Sequence, residues 1–304
     1  MYNAEVKEQF LNAIERSATL SNLYTLFSKT EETEKELDTD LALISREQTI
    51  SMIEQFGYRQ YSTVADTISN IKRYRKWYSE TIDNSLRYHS INIEMEDVDL
   101  SDNYKKVMIQ STDEIIHSKY PDPETGDPII PILIFAFYGM SLKDMVELES
   151  DNVFISGANT RVILGDNRVI VINDLNVAKA LLRYQQCEFG YKRGAKIRKI
   201  ETSKFFYRIP SRKTDTTWDV DRMRKYVTDG RKKYYADDYG ENSYMSLKTV
   251  ELSGRLNRIV HALISGTSIE DAVAMEYPGE KTRSVKFRVL RCSAACYQRA
   301  FNIE

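Results

Sequence analysis

The segment Ile129 to Leu148 reads IIPILIFAFYGMSLKDMVEL. Its first ten residues, to Tyr138, are almost wholly apolar, too short to cross a bilayer but long enough for a helix buried on every side. Gly139 interrupts that helix, and Leu142 to Leu148 resumes a short one. The hydrophobic period then changes from helical to two. Val153 to Ile155, Arg161 to Leu164 and Arg168 to Ile172 are separated by Ser156-Gly157-Ala158-Asn159 and by Gly165-Asp166-Asn167, which predicts a small antiparallel three-stranded sheet.

Helical patterns flank this centre on both sides, so the chain reads as mainly α with a small antiparallel sheet. Downstream, Val177 to Cys187 is helical, as is nearly everything after Asp219, in pieces broken at Gly230, Tyr239-Gly240, Gly266 and Pro278-Gly279. Upstream, Asn103 to Ser118 is helical and Tyr120 to Pro128 is a loop. Asp97 to Asp102 is polar and acidic, a junction between a helical domain over 1–97 and a second domain over 103–304. Within the first domain, short helices are expected at Ala4 to Ser17 and Ser21 to Phe27, then an acidic connection from Thr30 to Asp40. Ser45 with Gln48 forms a capping-box pattern for a helix that Gly57 stops. Ser62 is read as the cap of the next helix, whose Val64, Ile68, Ile71, Tyr74 and Tyr78 recur at helical steps while Lys72, Arg73, Arg75 and Lys76 crowd its last turns. One face is core, and the adjacent positive stripe is either a DNA contact or a solvated surface.

At 304 residues, 42% hydrophobic and 29% charged, the chain is neither disordered nor membranous. No signal peptide opens it, and a cytoplasmic location, with no membrane partner, is expected. Cys187, Cys292 and Cys296 are odd in number and lack paired CxxC spacing, and His89, His117 and His261 lie far apart, so no metal site, disulfide framework or cofactor is expected. His261 is read as core. The formal net charge of −2 conceals a polarity: residues 181–304 hold 25 Lys and Arg against 15 Asp and Glu, whereas residues 1–180 hold 18 against 30. A basic C-terminal part points to a polyanion partner.

No phosphate-cradling glycine loop, metal-binding His/Glu pair or nucleophile elbow is present. The order of elements, however, resembles the tyrosine recombinase (phage integrase) family. Thr63 to Trp77, TVADTISNIKRYRKW, looks like that family's core-binding helix, with an aromatic ladder ending in Trp and basic residues facing DNA. Phe137 to Leu148 aligns without a gap on its first motif, with Ser141 where the first catalytic arginine is expected. Arg255 stands eleven residues before Gly266, the spacing of the family's second arginine. Counting from it, the family's histidine falls on Leu252, its later His or Trp on Pro278 and its nucleophilic tyrosine on Phe287, while Val162 to Asn167 offers no catalytic lysine. Tyr297 lies ten residues beyond the nucleophile's position.

The resemblance therefore implies a recombinase-like fold without strand-cleavage chemistry, and it is close to the recombinase-fold master repressors of SPβ-like Bacillus prophages. What it implies for function is a DNA-binding repressor that holds phage lytic genes silent at specific operator sites; the alternative is an active or accessory recombinase. The DNA-contacting residues would be Lys72, Arg73, Arg75, Lys76, Arg255, Arg258, Lys281, Arg283, Lys286 and Arg288. Arg255 could instead be an ion-pair partner of Asp144 or Glu251. Cys292 and Cys296 belong to an apolar face of a terminal helix that could dock on a second protomer, as family tails do, and a phage-encoded regulatory protein is a further expected partner.

Overall fold

The computed structural model describes residues 1–14, 17–83, 92–165, 167–192, 195–198, 203–207, 218–237, 243–279, 281–282 and 284–304. In chain order the elements are α1 (Ala4–Asn12), α2 (Ser17–Leu37), α3 (Arg46–Gln55), α4 (Tyr61–Thr81), α5 (Ser101–Val107), α6 (Thr112–Ile116), α7 (Ile129–Phe137) and α8 (Leu142–Glu147). Strands β1 (Val153–Ser156), β2 (Asn159–Ile163) and β3 (Val169–Asn173) follow, then α9 (Leu175–Gln186), β4 (Phe189–Lys192), β5 (Ala195–Arg198), α10 (Val220–Tyr234), α11 (Leu247–Ile264), α12 (Ile269–Glu276) and α13 (Val285–Phe301). The fold is mainly helical with a small antiparallel sheet. Among the described residues no helix is long and apolar enough to cross a membrane. The expected break at Tyr239-Gly240 lies outside the described residues.

The chain divides into two compact units, Met1–Tyr104 with Thr267–Glu304, and Lys105–Gly266. The first unit therefore includes a C-terminal stretch that the sequence reading had placed in a continuous 103–304 domain. The reason lies in α13. Its Phe287, Leu290, Cys292, Ser293, Cys296, Tyr297 and Ala300 are buried, Ser293 Oγ accepts from Tyr104 Oη at 3.2 Å, and α13 packs against α4. Three of its arginines pair with the connecting segment: Arg288 with Glu94 at 2.6 Å and Glu96 at 3.2 Å, Arg291 with Glu96, and Arg299 with Asp99 at 3.3 Å.

The acidic stretch after Thr30 is helical rather than a connection, because one of its acids is internal. Glu34 is fully buried and bonded to Lys7, to Thr30 Oγ1 at 2.8 Å and to the Leu41 amide at 2.7 Å. A buried charge persists only with such partners. Around it, Phe10, Phe27, Tyr74 and Trp77 form an aromatic cluster with centroids 5.1–6.1 Å apart, and Tyr74 Oη donates to Asp40 at 3.0 Å. Ser45 and Gln48 make the expected capping box. Ser62 is not a cap: α4 begins one residue earlier, at the buried Tyr61, whose hydroxyl donates to the Val98 carbonyl at 2.7 Å.

In the second unit all nine residues of α7 are buried. It packs most closely on α11, where a Cβ at Gly254 would stand 1.9 Å from the Phe137 carbonyl oxygen. Only glycine permits that approach. The three strands form an antiparallel meander in the order β1-β2-β3, with Val153 opposite Val162 and Val162 opposite Ile170. A second hairpin, β4-β5, was not anticipated from the sequence.

Candidate nucleic-acid interface

Helix α4 carries the basic stripe, but only part of it faces solvent. Arg73 and Lys76 are exposed, and Lys72 is half-buried with its ammonium 3.5 Å from Glu94. Lys76 lies 3.9 Å from Glu80 one turn on. Arg75 departs from the expected interface: it is 7% exposed, and its guanidinium donates to the carbonyls of Leu41 (3.1 Å) and Ile44. It follows the buried Tyr74 on the inner side of the helix, where it ties the segment before α3 to α4. Covered to this extent and bonded to internal carbonyls, the guanidinium is not presented to a phosphate outside.

The motif around Gly139 is built by two close contacts. Gly139 has φ of +89°, and a Cβ there would lie 3.0 Å from the Arg258 guanidinium. Arg258 donates to the Phe137 carbonyl, so this expected DNA contact clamps the turn between α7 and α8. Ser141 caps α8. Its hydroxyl accepts from the Asp144 amide at 3.1 Å and donates to the Asp144 carboxylate at 2.7 Å. The same carboxylate oxygen takes Arg168, from the end of the β2-β3 hairpin, at 3.2 Å.

Arg255 is half-buried, one turn beyond Glu251. Burial pushes the Glu251 carboxyl above the usual carboxylate range, and the positive charges of Arg255 and Arg224 oppose that rise. Asp144, the other acid considered as a partner, is engaged by Ser141 and Arg168. Glu251 and Arg255 line a cavity of about 1020 Å³ together with Ser141, Lys143, Lys248 and a set of α10 residues that sequence reasoning missed: Arg224, Arg231 and Lys232. The missed signal is periodic. Residues 224, 228, 231 and 232 fall on one face of α10, and 248, 251 and 255 on one face of α11.

Of the remaining positions that the resemblance assigns, Pro278 and Phe287 lie in the first unit and Leu252 in the second. Phe287 is 4% exposed and part of the buried face of α13, whereas Pro278 is exposed; Leu252, in α11, is half-buried. Tyr297 is fully buried against Phe301, with ring centroids 4.8 Å apart. Lys281 is exposed, and Lys286 is exposed with its ammonium 4.9 Å from the centre of the Tyr277 ring. Arg288, expected at phosphate, is instead paired with Glu94 and Glu96. Arg283 lies outside the described residues. His261, read as core, is exposed at the end of α11. Cys292 and Cys296 do form an apolar face, and it is covered within the same chain; burial pushes both thiols up to about 11. Among the described residues no three His, Cys, Asp or Glu side chains converge as metal ligands.

Comparison with known proteins finds a likeness in the first part of the chain: residues 1–80 match the family model described as MrpR, N-terminal core-binding domain. No curated protein sequence matches the chain. Among solved structures that do match is the crystal structure of XerA recombinase, at 11% identity and a TM-score of 0.41, covering 99% of this chain and 97% of that one.

Proposed function

We propose that the chain binds duplex DNA at specific sites and silences phage lytic genes as a repressor, without cutting the strands. The observation that carries this reading is Ser141. Where the sequence resemblance implies a transition-state arginine, a short hydroxyl is consumed in capping α8. Fixed cations around a reacting phosphate matter most in the transition state, and loss of one well-placed donor typically costs about 3–4 kcal/mol. The position counted as the nucleophile, Phe287, also has no hydroxyl with which to form a covalent phosphoester. Binding needs neither. Exposed Arg73 and Lys76 on α4, with Lys143, Lys248 and Arg255 in the second unit, supply charges of the kind that hold a DNA backbone.

One observation favours retained chemistry as a second reading: Lys143, Arg224, Arg231, Lys232, Lys248 and Arg255 line one cavity with Ser141, so charge absent at 141 is present nearby. Self-association through α13 would require that helix to leave α4 first, and a phage-encoded regulator is a further proposed partner. Footprinting on prophage DNA, followed by incubation with a nicked suicide duplex carrying a protected site, separates the readings. Discrete protection without a denaturation-resistant adduct is expected. An adduct that disappears on mutation of a single tyrosine would overturn the repressor reading.

A further inference from the structure

The cavity between α8, α10 and α11 is larger and more apolar than contact with a DNA backbone requires. At about 1020 Å³ it stands at the upper end of the range, roughly 300–1,000 Å³, in which proteins bind small molecules. Its wall includes Ala136, Met140, Leu142, Val227 and Leu247. A backbone phosphodiester is a convex, fully hydrated group bearing one charge, and it has no use for such a wall. The cations are equally informative. Arg224, which also pairs with Asp221 at 2.9 Å, and Lys232 project from the exposed side of α10 and Lys248 from α11; Arg231 and Arg255 join them, and Glu251 is the one carboxylate among the described lining residues. Guanidinium forks bind phosphate oxygens in pairs. A phosphomonoester, carrying about −1.5 to −2 at neutral pH, answers this excess of positive charge better than a diester does.

We propose that this cavity binds a small phosphomonoester joined to an apolar or aromatic body, a molecule of nucleotide size, with the phosphate on the α10 and α11 cations and the body against the wall. The binding itself is independent of the DNA reading. A consequence that rests on that reading is competition, because Arg255 and Lys248 would be shared between ligand and DNA.

The test is calorimetric titration of the full chain with adenosine 5′-monophosphate, adenosine and inorganic phosphate, run beside a DNA-binding assay. The monophosphate is expected to bind at least about tenfold tighter than either fragment. The double variant Arg224→Gln, Lys232→Gln should lose about tenfold for the monophosphate, and Leu247→Gln should erase its advantage over inorganic phosphate while leaving phosphate binding intact. A monophosphate that binds no tighter than inorganic phosphate, or gives no heat at millimolar concentration, overturns the proposal. So does an affinity unaltered in both variants. Monophosphate binding by a protein that ignores duplex DNA would sustain the cavity site and remove the DNA reading, whereas DNA binding without monophosphate binding would do the reverse.

Discussion

Arg75 and its neighbours Arg73 and Lys76 share one helix and one sign of charge, yet Arg75 is buried on main-chain carbonyls while the other two are exposed and, on the proposed function, meet DNA. Arg75→Ala removes a buried guanidinium that donates to two main-chain carbonyls, those of Leu41 and Ile44. Hydrogen bonds from a charged donor contribute about 1.5–3 kcal/mol each, so the loss should be about 3–6 kcal/mol, a large fraction of the roughly 5–15 kcal/mol that stabilises a typical domain. With a urea slope of about 2 kcal/mol/M, the unfolding midpoint of the first unit should fall by about 2 M. Arg73→Ala with Lys76→Ala should leave that midpoint in place, since an exposed pair such as Lys76 with Glu80 contributes about 0–1 kcal/mol. It should instead reduce the slope of log affinity for DNA against log salt by up to about 1.8, at about 0.9 per phosphate contact. The assay is urea unfolding followed by tryptophan fluorescence, beside DNA titrations at several salt concentrations. A folded Arg75→Ala protein with an unchanged midpoint and a reduced salt slope would refute the assignment and return Arg75 to the DNA-facing stripe.

Three further outcomes are expected. Gly254→Ala should destabilise the second unit by about 1–3 kcal/mol or more, measured as a lower melting temperature, because its Cβ meets main-chain atoms of Phe137 that have no alternative rotamer; an unchanged melting temperature would mean that α7 and α11 do not approach so closely. Glu94 is held below the usual carboxylate range first by its bond from Arg288 and then by Lys72. Its stabilising contribution is therefore full above the unfolded value of about 4.3 and is lost as pH falls below it, so Glu94→Gln should flatten that acid limb and leave pH 7 to 9 parallel to the unaltered protein. Cys292 and Cys296 should resist thiol reagents at pH 8 while the partly exposed Cys187 reacts, since burial keeps the first two protonated and covered; rapid labelling of all three in the folded state would show α13 detached from α4.

The elements that could be read from the sequence were those whose pattern depends on one neighbour-independent rule. The apolar run of α7, the switch to period two at β1 and the Ser45 capping box are each local. Errors arose where a residue's partner lies far along the chain. Glu34 looks like a solvated acid until Lys7 and the Leu41 amide are placed around it. Arg75 looks like its exposed neighbours because a helical wheel cannot register that the chain before α3 lays two carbonyls over that side. The C-terminal helix could be read as apolar on one face, but not as belonging to the first unit, because its ion pairs join residues nearly two hundred positions apart.

The candidate site divides in the same way. Ser141 and Arg255 were found because a motif fixes their spacing, whereas Arg224, Arg231 and Lys232 belong to no motif and share only a helix face. What the structure adds at Ser141 is a reason why substitution there is self-consistent. A serine at the first position before α8, with an aspartate three residues later, completes a reciprocal cap worth about 1 kcal/mol, and the aspartate then engages Arg168 from the sheet. An arginine at 141 would forfeit the hydroxyl that accepts from the Asp144 amide and would compete with Arg168 for the same carboxylate. On the proposed reading, the position that the resemblance aligns with a transition-state arginine serves the scaffold joining α8 to the β2-β3 hairpin, and reversing one residue would not recover the other arrangement.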